Sequence, residues 1–417
     1  MLRRWFPRIA SQFVAFAVLV LVTACGQGPM VPAPVESPQS RLPRPQQAAP
    51  VAPVTGAPLA APGGSKVALL LPLSGPNARL GKAMLNAAQL ALFTMGSEGL
   101  TLVPRDTGGT AEGAAKAAQS AVNDGAQLIL GPLLAAEVAS VKPIAMNANI
   151  NLIGFSTATQ LAGGNAFLMG FLPHDEAVRE VSYAREKGLS QFAALLPNSP
   201  YGHLMEAALR DGVAASGGQI GKIEYFDPRG ADTSGAVQRL IGAPTGGAGI
   251  GTAPPPAPKF DALLLPEGGS QLKQLAGQIK AAGISTTQVR LLGSGLWDDA
   301  TVARDPALYG GWFATSPPDA RHDFENRYQA AYHQAPPRLA SLAFDGAALA
   351  AVLAKAGGDH PFSREAILNP SGFTGVDGLF RFTSAGLVQR GLAVLEVEPQ
   401  GNVVVSPAPQ SFAGPGL

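Results

Sequence analysis

The feature that most constrains the fold is a series of short, nearly unbroken apolar runs. They are Val67 to Leu71, Leu100 to Val103, Leu128 to Leu130, Asn151 to Phe155, Phe192 to Leu196, Ala262 to Leu265 and Val289 to Leu292. A strand with one face in water alternates apolar and polar residues. A strand covered on both faces reads as a continuous run, as these do, which points to parallel sheets flanked by helices. Several runs stop at Pro or Gly: Leu71-Pro72, Leu130-Gly131, Leu196-Pro197 and Leu265-Pro266. The segments between them carry helical periodicity. Counted from Met84, the residues Ala87, Ala88, Ala91, Leu92 and Met95 fall at offsets 3, 4, 7, 8 and 11, one face of a helix. Alanine on such faces permits close packing on a sheet. The expected class is α/β, doubly wound.

The end of the chain changes character. Leu379 to Thr383 alternates in side-chain type and runs into a Ser-Ala-Gly turn. Val394 to Val397 and Val403 to Val405 flank the turn Pro399-Gln400-Gly401-Asn402. These segments read as short antiparallel strands.

The start reads as an address. Arg3, Arg4 and Arg8 precede the apolar run Phe13 to Val22, the layout of a secretory signal and shorter than the ~20 residues that span a bilayer. Val22-Thr23-Ala24-Cys25 follows and resembles a bacterial lipoprotein box, with the sole cysteine of the chain at the lipidation position. Residues 1–24 are thus expected to be a lipoprotein signal peptide and Cys25 the lipidated residue. Gly26 follows where an Asp would signal inner-membrane retention, so the resemblance implies an outer-membrane lipoprotein facing the periplasm. Residues 26–64 hold ten prolines and almost no large apolar side chain, too little to offset the entropy of ordering. The expected tether, 25–65, would span between ~35 Å as a coil and ~120 Å extended. The Gly- and Pro-rich stretch from Gly242 to Pro258 reads as a surface loop.

Composition excludes several functions. With 30 basic and 29 acidic residues the chain lacks the basic face that nucleic acid requires. One cysteine rules out a disulfide framework and a Cys-cluster zinc site, and the five histidines are scattered. No Gly-x-Ser-x-Gly elbow occurs. Gly75 to Lys82 looks like a phosphate loop, but five residues separate Gly75 from Gly81 and Ala83 stands where a Mg²⁺-binding hydroxyl belongs. Gly247-Ala-Gly249-Ile-Gly251 lacks the dinucleotide-binding spacing. Neither a metal nor a cofactor is expected, and the chain is not expected to be an enzyme.

Several segments together resemble a known family. Val67-Ala-Leu-Leu-Leu-Pro-Leu-Ser-Gly-Pro with Gly81 and Asn86, then Ile129-Leu-Gly-Pro132, Asn151-Leu-Ile-Gly-Phe-Ser-Thr157, Pro200-Tyr201-Gly202, Leu291-Leu-Gly293 with Trp297, and Pro337 to Asp345 look like type 1 periplasmic binding proteins of the leucine/isoleucine/valine-binding group. The resemblance implies two Rossmann-like lobes joined by three crossings, with a ligand cleft between them. Lobe 1 is placed at 66–172 and 313–375, lobe 2 at 173–312 and 376–408, with a tail at 409–417.

The resemblance nominates Ser74, Ser156, Thr157, Tyr201, Glu267 and Trp297 as cleft residues for a small polar ligand. Each has a plain structural reading beside that one: Ser74 and Ser156 as helix caps, Tyr201 as wall packing, Trp297 as core, Glu267 as a solvated loop residue. Three departures weigh against free amino acids. Leu133-Leu134 replaces a usual serine, Ala158 replaces a hydroxyl residue, and Gly293-Ser294-Gly295 replaces a turn whose acidic residue faces the ligand ammonium. A buried ammonium without a carboxylate is strongly disfavoured.

Gly372 to Phe382, with Gly386, Arg390 and the strand Leu392 to Val397, is similar to the penicillin-binding protein activator branch of this fold. That resemblance implies an envelope lipoprotein that stimulates peptidoglycan synthesis by contacting a class A penicillin-binding protein. The leading expectation is therefore a non-enzymatic activator. The alternative is a lipid-anchored solute-binding component of an ABC transporter for amino acids or another small polar ligand.

Overall fold

The computed structural model describes residues 64–242 and 258–413, apart from Ser97, Ala231, Asp232, Ala300 and Ala303. The expected signal peptide, Cys25, all but the last residues of the tether, most of the Gly242–Pro258 loop and residues 414–417 lie outside them.

The first lobe opens with β1 (Ser65–Leu71), α1 (Ala78–Met95), β2 (Leu100–Asp106), α2 (Ala111–Asn123), β3 (Leu128–Leu130), α3 (Ala135–Asn147), β4 (Asn151–Gly154) and β5 (Ala166–Leu168). Its sheet is parallel throughout, in the order β2-β1-β3-β4-β5. The chain then crosses into α4 (Pro173–Glu186), β6 (Gln191–Pro197), α5 (Pro200–Ser216), β7 (Gln219–Phe226), α6 (Ser234–Ile241), β8 (Ala262–Leu264), α7 (Gly269–Ala281), β9 (Arg290–Leu292) and β10 (Trp312–Thr315). It crosses back into α8 (Pro318–Tyr332), α9 (Ala340–Ala356), α10 (Arg364–Ile367), β11 (Phe373–Gly375), β12 (Gly378–Phe382) and β13 (Val388–Arg390). A third crossing leads to the hairpin β14 (Ala393–Glu398) and β15 (Gly401–Ser406). The second sheet runs β15-β14-β10-β9-β8-β6-β7, with β14 and β15 antiparallel. The expected class holds: two parallel-sheet lobes, with short antiparallel strands at the end.

Burial explains the sequence pattern. In β1, Val67 to Leu71 have no exposed surface because helices cover both faces. The predicted α1 face, Met84, Ala87, Ala88, Ala91 and Leu92, is buried, and α1 packs along α9. Tyr328 and Tyr332 tie α8 to α1 by donating their hydroxyls to the carbonyls of Ala83 and Asn86. Thr110 and Ser199 cap α2 and α5 by accepting from the N–H of Gly113 and Gly202. Such caps contribute about 1 kcal/mol each.

Two lobe boundaries differ from expectation. Phe313 to Thr315, assigned to lobe 1, belong to β10 and pair with β14 in the second sheet. Residues 376–390, assigned to lobe 2, stay with lobe 1. Val376, Phe380, Phe382 and Val388 enter its core, because β11, β12 and β13 form a separate antiparallel sheet against it. The crossings thus fall at 169–172, 316–317 and 391–392.

In both sheets the strand order reverses beside the first strand, β1 between β2 and β3, and β6 between β7 and β8. Loops that leave neighbouring strands on opposite sides open a crevice at the strands' carboxyl ends, where open α/β sheets bind ligands.

Candidate ligand cleft

The cleft holds two adjoining cavities, a wide chamber and a narrow throat. The chamber, about 780 Å³, is walled from lobe 1 by Leu80, Leu133, Leu134 and Phe155 and from lobe 2 by Pro200 and Leu204. Its polar lining is neutral: Asn77, Ser156, Thr157, Thr159 and Gln160. The throat, about 230 Å³, lies at the crossings and is lined by Asp175, Glu176, Tyr201, Arg338 and Arg390 among others. Phe171, on the first crossing, and Leu339, just before α9, border both.

The nominated residues separate. Ser156 and Thr157 follow β4 and line the chamber. The Ser156 hydroxyl accepts from the N–H of Ala158 at 3.2 Å, which leaves its proton free to donate. Tyr201 opens α5 and lines the throat, donating to Ser294 Oγ at 3.1 Å. Burial, then the nearby Glu176 carboxyl, raise its pKa.

Three nominees lie elsewhere. Ser74 lines neither cavity; it sits on the loop fastened by Asp106, whose Oδ1 accepts from the N–H groups of Leu73, Ser74 and Gly108 at 2.8 to 3.1 Å. Burial pushes the Asp106 carboxyl upward, but the Ser74 hydroxyl and these N–H groups outweigh it and hold its pKa low. Glu267 is half-buried and lines neither cavity; burial alone raises its pKa. Trp297 is not a cleft residue. It is fully buried in the lobe 2 core, donating Nε1–H to the Leu265 carbonyl at 3.2 Å. The ring fills space left by Gly293, where a Cβ would meet it at 2.2 Å.

The throat's charged residues went unnominated, although Asp345, Asp377 and Arg390 stand within the segments that carry the resemblances. Arg338 pairs with the fully buried Asp377 at 2.8 Å and donates to Ser341 Oγ at 2.9 Å and Ser316 Oγ at 3.1 Å. Its guanidinium lies 3.8 Å from the Phe171 ring centroid, and that of Arg390 lies 5.0 Å from the same ring. Arg390 is buried and donates Nη2–H to the Met169 carbonyl. Its backbone N–H donates to Asp175 Oδ2 at 3.1 Å, fastening β13 to α4 across the crossing. Burial pushes the Asp377 carboxyl up, but Arg338 and Arg390 bring its pKa below the usual range. Its neighbour Asp345, which accepts from the Val376 and Asp377 N–H groups, is raised by burial and by the Asp377 charge. On the lobe 2 side Glu176 accepts from the Gly295 N–H at 2.9 Å and is pushed up to about 7, chiefly by burial. Glu180 accepts from the Ala314 N–H at 2.8 Å, and burial raises its pKa well above the usual carboxylate range. Arg321 of α8 reaches from lobe 1 to Asp298 of lobe 2, a further tie across the hinge.

Two lobes, three crossings and a cleft at the strand ends coincide with a sequence match: the profile of the periplasmic binding proteins covers residues 65–402. The chain belongs to the periplasmic binding protein family. The fold is the type 1 arrangement, and the family is one of ligand-binding proteins. Solved structures of this fold include a putative branched-chain amino acid ABC transporter protein from Rhodospirillum rubrum, with TM-score 0.71 and 18% identity over 82% of this chain and 100% of that one. A solute-binding protein of an ABC transporter from R. palustris, in complex with benzoate, has TM-score 0.57 and 19% identity over 85% and 99%. A branched-chain amino acid transporter substrate-binding protein from Streptococcus pneumoniae, in complex with isoleucine, has TM-score 0.56 and 20% identity over 82% and 100%. At such identities these likenesses carry the fold alone. No curated protein matches the chain. Among the described residues no helix of this binding protein is long and apolar enough to cross a membrane, and no His, Cys, Asp or Glu cluster is suited to a metal.

Proposed function

We propose that this chain is a solute-binding protein of an ABC transporter, anchored through Cys25 to the periplasmic face of the outer membrane. Its ligand would be a small carboxylate with an apolar body and no ammonium group. The observation that carries this reading is the chamber: wide, apolar, open between the lobes and lined by no ionisable side chain. Such a lining favours the burial of hydrocarbon or aromatic surface at about 25 cal/mol per Å². The Ser156 and Thr157 hydroxyls supply donors for a carboxylate, whereas an ammonium there would lack a counter-charge. Benzoate and isoleucine, bound by the two relatives, are the natural pair of probes.

The activator reading rests on Gly372 to Phe382 and Arg390. Those residues build β11, β12 and β13, which pack on the lobe 1 core, with Asp377 and Arg390 buried and the Arg390 N–H bonded to Asp175 of lobe 2. The comparisons favour the solute-binding reading.

The test is a thermal melt of the mature chain with a panel of small acids. At a hundredfold excess over Kd a bound ligand adds about 2.7 kcal/mol, a rise of about 4 °C for a protein of this size. Benzoate-like acids should raise the melting temperature more than isoleucine does. If no acid raises it while a class A penicillin-binding protein co-purifies and polymerises glycan faster, the activator reading replaces this one. Cys25→Ser should abolish acylation and membrane retention on fractionation, and an acylated variant protein would overturn the anchor.

A further inference from the structure

Glu176 and Arg338 line the throat from opposite lobes. Glu176 stands in the first turn of α4, its Oε2 held by the Gly295 N–H. A Cβ at Gly295 would fall 2.7 Å from Oε1, so the loop after β9 is reduced to glycine where the carboxyl sits. Arg338 precedes α9, and its side chain keeps 38% exposure although Asp377, Ser316, Ser341 and the Phe171 ring all hold it. Among the described residues no ion pair joins it to Glu176, yet its charge acts on that carboxyl across the cavity.

We propose that Glu176 and Arg338 form a proton-linked latch: closure of the lobes over the throat brings them into an ion pair, and protonation of Glu176 releases it. The sign follows from charge. With the two groups unpaired, as in this structure, burial disfavours the Glu176 anion and pushes its pKa up to about 7. A closer guanidinium favours the anion, so the closed form has the lower pKa and closure releases a proton. The closed-to-open ratio should therefore rise with pH, by up to about tenfold per unit, and level off above about 7.

The other groups facing Glu176 are consistent with this sign. On α4, Asp175 opposes the Glu176 charge. Glu180, one turn along, has its own pKa raised by burial and by Glu176. From α5, Tyr201 stays protonated and donates to Ser294. From beyond β8, Glu267 acts on Tyr201. Arg390, at the end of β13, is taken up by Asp377 and Asp345. Among the described residues, Arg338 is the one lobe 1 cation that acts on Glu176.

The latch rests on reading the cleft as a closing ligand site, and the experiment separates the two. Dyes on Cys introduced at exposed Lys116 of lobe 1 and Lys280 of lobe 2, in the full chain carrying Cys25→Ser, report the lobe separation by energy transfer. Without ligand, the distance should shorten as pH rises from 5 to 8. The change should be absent in Glu176→Gln and in Arg338→Gln, each checked for folding by circular dichroism. A pH-independent distance in the parent, or an unaltered titration in the folded variants, overturns the latch; if one variant does not fold, the other decides. Benzoate and isoleucine are then added at millimolar concentration. Shortening by either supports the solute-binding reading even where the latch fails, and a pH response with no ligand response leaves the latch standing alone.

Discussion

The chamber and the throat share Phe171 and Leu339 but are built by opposite rules. The chamber places neutral hydroxyl and amide groups among leucines, and no charge lines it. The throat gathers Asp175, Glu176, Arg338 and Arg390 into a cavity less than a third as large. An uncharged wall makes affinity depend on apolar area and shape. A charged hinge makes the lobe arrangement depend on pairing and protonation. The difference teaches that selectivity and closure reside in neighbouring but separate sets of residues, so each should break without the other.

The largest effect should come from the throat's buried core. Asp377→Asn removes the anion that Arg338 and Arg390 share. Breaking one side of a buried charge cluster costs about 3–5 kcal/mol. Urea denaturation should show that loss as a lower midpoint. An unchanged midpoint would mean that solvent already satisfies the two guanidinium groups.

The next effect is a slope in pH. Glu176 is raised from its ordinary 4.5 to about 7 by burial, so between these values the folded protein binds more protons than the unfolded chain. Its contribution is therefore fully present below about 4.5 and is lost as pH rises towards 7. The loss is on the order of 3 kcal/mol, reduced to the extent that water reaches the half-buried carboxyl. Glu176→Gln should flatten this part of the profile in urea titrations at several pH values. A variant with the parental slope would assign it to Asp345 or Glu180.

The two cavities were unequally legible in the sequence. The long apolar strands β1 and β6 and the face of α1 stood out because burial on both sides leaves a continuous run and helix packing leaves a period. The strands β5 and β10 were not among the runs picked out, although they are no shorter than β3, β8 and β9, and the edge strand β7 is only half covered and so lacks a continuous apolar run. Ser156 and Thr157 lie on the loop after β4 and Tyr201 in the first turn of α5, after β6, and these positions past strand ends are what the sequence pattern could mark. Trp297 was misplaced because an aromatic beside Gly293 suits a cleft wall and a core equally; the glycine makes room for the ring rather than for a ligand. The throat was hidden for another reason. Its charges come from positions 175 to 390, on three chain segments, and nothing local marks Glu176 as facing Arg338.

Leu204→Asp tests the chamber's lack of charge. Leu204 is 42% exposed on α5 and faces the chamber, so folding stability should change by no more than about 0.5 kcal/mol. A carboxylate ligand should nevertheless lose about 2 kcal/mol, or thirtyfold in Kd, to like-charge repulsion, as calorimetry would show. Equal loss for an uncharged ligand of the same shape would point to lost packing instead.

The smallest effect isolates a single donor. Thr157 is exposed, lines the chamber and sits on the loop after β4, so Thr157→Val keeps the shape and β-branching and removes only the hydroxyl. A hydrogen bond to an exposed carboxylate contributes about 1 kcal/mol net, which is roughly fivefold in Kd. The Ser156 hydroxyl, which stays fixed by the Ala158 N–H, should retain most of the affinity. The chamber and throat together set the control: the variant should weaken benzoate binding equally at pH 6 and pH 8, because Thr157 lies apart from the titrating carboxyls. A Thr157→Val effect confined to one of these pH values would mean that the throat's protonation reaches the chamber, and the division between recognition and closure would no longer hold.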